Sequence, residues 1–138
     1  MGARYRTEAA NHDGVEGWSR VGDGLGVRVA SPLAGGADPE ATNPEQLLAL
    51  AWATCLNATA QTVVAGRRRT SVRVTVELHD AVPGPGYEFH VDAYLSAEGS
   101  TPAETERLLG AVDARCPVSK LLHGAATARV HGEPYAVS

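Results

Sequence analysis

The sequence predicts an α+β fold on three observations: short strand-like runs near the start, one long alanine-rich helical segment, and a switch to alternating periodicity beyond Arg69. Arg4 to Ala10, Trp18 to Val21 and Leu25 to Ser31 read as strands. The turn formers Asn11-His12-Asp13-Gly14 and Gly22-Asp23-Gly24 separate them and fold them into an antiparallel meander. Ser31 to Asn43, rich in Pro, Gly and Asp, is a loop that leads to a helix starting near Pro44, because proline suits a first helical turn. Along that helix Leu47, Leu48, Ala51, Cys55, Ala58 and Thr62 recur at steps of three and four, a stripe expected to face inward. The helix is expected to stop at Ala65-Gly66, which leaves Arg67-Arg68-Arg69 as a solvated turn.

Beyond that turn Val72, Val74, Val76 and Leu78 alternate with Arg73, Thr75 and Glu77, the pattern of a half-buried strand. Tyr87, Phe89, Val91, Ala93 and Leu95 repeat it after Pro83-Gly84-Pro85-Gly86. Thr101-Pro102-Ala103-Glu104 has an N-cap threonine, proline at the first helical position and glutamate three residues past the cap, so a second helix runs to about Arg115. Pro117 interrupts it and starts another turn with Cys116 at its cap, ahead of a last strand near Thr127 to His131.

With 138 residues and 43% hydrophobic composition, the chain is expected to form a single domain, residues 1–138, that buries a core without disulfide staples. Met1 to Arg6 carries no apolar signal-like run and no stretch reaches the length of a membrane span, so a reducing, cytoplasmic setting is expected. The formal charge of -4 argues against nucleic acid as a partner. His12, His79, His90, His123 and His131 show no zinc-site spacing, and no phosphate-binding glycine loop is present, so neither a metal nor a bound cofactor is expected. Gly22-Asp23-Gly24-Leu25-Gly26 reads as a hairpin. Trp52, Tyr87 and Phe89 are either core or the lining of an apolar pocket.

The chemistry rests on two cysteines, Cys55 and Cys116, 61 positions apart and each beside a helical segment. Such a pair can cycle between dithiol and disulfide, the minimum needed for two-electron reduction of a peroxide without metal or flavin. The same residue type also serves as a small buried hydrophobe. Peroxide chemistry requires a thiolate. Cys55, among Ala51, Trp52, Leu56 and Ala58, is expected to be pushed toward the neutral thiol by desolvation, whereas Cys116 at a helix start is expected to make the better anion.

Asn43-Pro44-Glu45-Gln46-Leu47 upstream of the Ala-rich Cys55 helix, together with the distal Cys116-Pro117-Val118-Ser119, resembles the OsmC/Ohr family of thiol-dependent hydroperoxide reductases over nearly the whole chain. That resemblance implies an intertwined α+β homodimer, with antiparallel sheets wrapped around central cysteine-bearing helices. It also implies that Cys55 attacks an organic hydroperoxide, becomes a sulfenic acid and is resolved by Cys116 to a disulfide, with dihydrolipoamide or a lipoylated protein as reductant. Glu45 matches the family's acidic site residue. In one straight helix it would lie about 15 Å along the axis from Cys55, so either the chain bends or Glu45 meets the Cys55 of a second subunit. Glu45 in a first turn would also stabilise the helix dipole.

One departure from the family pattern bears on activity. The loop Asp13-Gly14-Val15-Glu16-Gly17 carries Val15 where hydroperoxide-resistance members carry an activating arginine. Arg20 is the first candidate to replace that arginine, with Arg4, Arg6 and Arg28 behind it. The alternatives to a peroxidase are a thiol-disulfide protein or a ligand-binding dimer with weak or no peroxide turnover.

Overall fold

Strand pairing, helix capping and burial of apolar side chains account for the architecture of the computed structural model, which describes residues 2–33 and 38–136. The chain divides into two compact units, Met1–Pro44 and Glu45–Ser138.

The first unit is the predicted meander, with β1 (Ala9–Asn11), β2 (Gly17–Val21) and β3 (Gly26–Val29) in the order β1-β2-β3, all antiparallel. β1 is shorter than the run Arg4 to Ala10. Ala9 already pairs with Val21, the last residue of β2, so earlier residues have no partner strand beyond the turn. That turn closes with Val21 N–H on the Leu25 carbonyl at 2.8 Å, as the glycine-rich hairpin requires. The 34–37 part of the expected loop lies outside the described residues; after it, Thr42 forms a bridge with Val29.

The second unit opens with α1 (Pro44–Val63), one uninterrupted helix. β4 (Thr70–Asp80) and β5 (Tyr87–Ala97) pair antiparallel over their full lengths, then α2 (Pro102–Arg115), α3 (Pro117–Leu122) and β6 (Ala128–Gly132) follow. The β5–β6 pairing is parallel, so this sheet is mixed where antiparallel pairing was expected. The two-helix crossover from β5 brings the chain back in its original direction, which a tight turn cannot do. Thr101 and Glu104 form the capping box anticipated for α2, with Glu104 N–H on Thr101 Oγ1 at 3.2 Å and Thr101 N–H on Glu104 Oε1 at 2.9 Å. α2 approaches β6 closely at Gly132, where a Cβ would stand 2.8 Å from Glu106 Oε1.

The core joins Trp52, Leu56 and Ala60 of α1 to Val91, Ala93 and Leu95 of β5, to Leu109 and Val112 of α2, and to Cys116. The buried stripe of α1 is therefore rotated from the expected one. Leu48, Trp52, Cys55, Leu56, Ala60 and Val63 face the core, while Leu47, Ala51, Ala58 and Thr62 are exposed. Apolar and small residues surround this helix, so spacing alone selects no face; the bulky Trp52 and Leu56 gain most by burial and take the core side. Among the described residues no helix is long and apolar enough to cross a membrane.

Candidate active site

Pro117 decides where the second cysteine sits. It cannot continue α2, so Cys116 closes that helix in an extended conformation (φ -70°, ψ 122°) and becomes the N-cap of α3. Its N–H donates to the Val112 carbonyl at 3.0 Å and its carbonyl accepts from Lys120 N–H at 2.9 Å, so its backbone serves both helices. Its side chain is fully buried.

Cys55 comes to the same place from α1. It is half-buried, both cysteines are free thiols, and the Cys116 thiol is near enough to act on the Cys55 thiol. Burial pushes the Cys55 thiol above its ordinary range, the N–H of Val118 donates to its sulfur and acts in the opposite direction, and the Cys116 thiol pushes it up further. Among the described residues no charged side chain contributes to this shift.

Sequence reasoning gave the helix start after Pro117 to Cys116, but Cys116 makes no side-chain cap bond there. The donor of that first turn serves Cys55 instead. A contact at this place was not read from the sequence, which gave Trp52 only as core or pocket lining and Ser119 only as part of the cysteine word. The indole N–H of Trp52 donates to Ser119 Oγ at 3.0 Å, with both side chains buried. Trp52 is thus core and not the wall of an open pocket, while Tyr87 is exposed and Phe89 packs against the core. The signal available in sequence was spacing: Trp52 precedes Cys55 by three, and Ser119 follows Cys116 by three.

Glu45 lies in the first turn of α1. Because that helix is continuous, Glu45 and Cys55 of one chain stand about 15 Å apart along its axis, and the bend considered from sequence is absent.

The residues of the arginine question belong to the N-terminal unit. Val15 is 74% exposed in the β1–β2 turn. The Arg20 guanidinium lies over the Trp18 ring, 4.9 Å from its centroid, on the same face of β2, and packs where Gly26 has no Cβ. Arg28 is ion-paired with Asp38 at 2.6 Å, which holds its charge within the unit, and Arg6 pairs with Glu8 at 3.1 Å. Among the described residues no group of three or more His, Cys, Asp or Glu is arranged to hold a metal ion.

The family model for OsmC-like protein matches residues 35–131. An organic hydroperoxide resistance protein-like chain of Mycoplasma pneumoniae is 33% identical over 129 residues, which is 88% of this chain and 89% of that one. The crystal structure of the organic hydroperoxide resistance protein OsmC of Legionella pneumophila superposes with a TM-score of 0.83 at 28% identity, covering 98% of this chain and 100% of the other. OhrB of Bacillus subtilis has the same fold, with a TM-score of 0.83 at 23% identity over 96% of this chain and 100% of its own. Since the matched region contains both cysteines and every element from α1 to β5, α2 and α3, the chain belongs to the OsmC-like protein family.

Proposed function

We propose that this protein reduces organic hydroperoxides to alcohols through its two thiols, as a single OsmC-like domain in a homodimer. The Cys55 thiolate attacks the O–O bond, which breaks; the alcohol leaves with a proton and Cys55 is oxidised to a sulfenic acid. The Cys116 thiol then attacks that sulfur, water departs and a Cys55–Cys116 disulfide closes. An external dithiol, dihydrolipoamide or a lipoylated protein, returns two electrons, so no bound cofactor is involved and the cycle suits a cytoplasmic, reducing setting.

The observation that carries this reading is the contact between two thiols 61 positions apart, with the Val118 N–H aimed at the attacking sulfur. The names of the relatives point to the same substrate class. Burial pushes Cys55 toward the neutral thiol, so a cation would favour the reactive anion, and Arg20 is the first candidate to supply it. Glu45 then acts at the Cys55 of the second subunit, since its own lies too far along the helix.

Reduced protein mixed with cumene hydroperoxide should lose two thiols per chain and two hydrogens in mass, faster than with hydrogen peroxide. Equal or slower loss with the organic peroxide refutes the assignment. The same raised thiol favours a second reading, a slow thiol-disulfide exchange protein, and that reading prevails if the disulfide forms with dithiol partners but not with peroxides.

A further inference from the structure

We propose that the Trp52–Ser119 hydrogen bond is a positioning element that holds the second cysteine segment in register against Cys55. The inference rests on the reading of Cys55 and Cys116 as a dithiol–disulfide pair.

On α1, Trp52 and Cys55 are three residues apart and so lie side by side on one face. Across from them, Cys116 and Ser119 are also three apart, from the cap of α3 into its first turn. Cys55 meets Cys116 and Trp52 meets Ser119. The two contacts form neighbouring rungs between segments that run in opposite directions. One rung changes with redox state and the other does not.

α3 has six residues, too few to hold a helix by its own hydrogen bonds, so tertiary contacts set its position. The apolar contacts of Val118 and Leu122 with the core are non-directional and tolerate sliding or rotation. A hydrogen bond from a rigid indole does not. Trp52 is 2% and Ser119 5% exposed, so water does not compete for the bond, and losing the hydroxyl would leave a buried N–H without a partner. Register matters because a disulfide tolerates only a narrow range of backbone separations. Ser119 acts through the placement of Cys116 and of the Val118 N–H.

The test is the equilibrium of the Cys55–Cys116 disulfide in glutathione buffers, measured on full-length protein. Ser119→Ala and Trp52→Phe should each weaken disulfide closure by about tenfold, a potential about 30 mV less reducing. Ser119→Thr, which keeps the hydroxyl, should stay near the wild-type value. The double variant should shift no further than either single one, because both remove the same bond.

If melting temperature falls while the disulfide equilibrium moves less than twofold, or if the two single effects add, the pair is packing only and the proposal fails. Should Ser119→Ala not fold, Trp52→Phe carries the same comparison with the serine in place. The measurement uses no peroxide, so a wild-type protein that forms the disulfide but shows no peroxide turnover overturns the proposed function and leaves this inference standing.

Discussion

Cys55 on α1 accepts a hydrogen bond from the N–H of Val118 in the first turn of α3, the helix that Cys116 caps. The donor of the second cysteine's helix therefore favours the thiolate of the first cysteine. Burial and the Cys116 thiol act the other way, burial more strongly. The balance leaves the thiol favoured at neutral pH, and the anion gains as pH rises through and beyond the ordinary cysteine range.

This opposition gives a signed prediction. Cys116→Ala removes a group that raises the Cys55 titration, so Cys55 should titrate at lower pH than in the wild-type protein and alkylate faster at neutral pH. Alkylation rates across pH check it; a higher titration midpoint would contradict the assignment of these neighbours.

Arg20→Ala should slow the reaction of Cys55 with organic hydroperoxides by at least about tenfold, equivalent to roughly 1.4 kcal/mol of transition-state stabilisation. Stopped-flow measurement of thiol loss decides it. An unchanged rate means that Arg20 does not activate the sulfur.

Leu50 and Leu47 on α1 are 64% and 37% exposed, and Ala51 and Ala58, also exposed, add small side chains that let another surface approach closely. If a second copy covers this surface, Leu50→Glu places a charge in the interface and should convert a dimer to a monomer at micromolar concentration. Light scattering reads the mass directly, and a wild-type monomer would dispose of the homodimer.

Ala65, two residues past the end of α1, has φ 54°, and Ala65 N–H and Gly66 N–H cap the Thr62 and Gln61 carbonyls at 3.1 Å each. Both Ala65 and Gly66 (φ 68°) are left-handed, and only the alanine carries a Cβ there. Ala65→Gly should relieve the steric penalty and stabilise the protein by about 1 kcal/mol in urea denaturation. A loss of stability would mean that chain entropy outweighs the strain.

The capping box holds the Glu104 carboxyl below its usual range through the Thr101 backbone N–H and then the Thr101 side chain. A depressed carboxylate stabilises the fold above its unfolded pKa, and that contribution is lost as pH falls through the folded value. Glu104→Gln should therefore flatten the acid limb of stability below about pH 4.5, the reference value for this group. Melting curves from pH 3 to 7 would show it, on the scale of ordinary glutamate titration.

Local patterns carried much of the fold. Alternation over Val72 to Leu78 and Tyr87 to Leu95 placed two strands of the sheet, the Thr101-Pro102-Ala103-Glu104 run placed α2, and Pro117 placed the break at Cys116, because period, capping and proline geometry act over a few residues. The cysteine words around Cys55 and Cys116 were likewise legible as a family pattern. What the sequence left open depended on partners distant along the chain. The buried side of α1 was settled by the volumes of Trp52 and Leu56 against β5, since a helix apolar on most sides has no preferred face until it packs. The direction of β6 followed from the α2–α3 crossover. The donor on Cys55, the bond from Trp52 to Ser119 and the meeting of two thiols 61 positions apart exist only once α3 lies against α1, because hydrogen bonds depend on three-dimensional distance and angle, which spacing along one strand or helix does not encode.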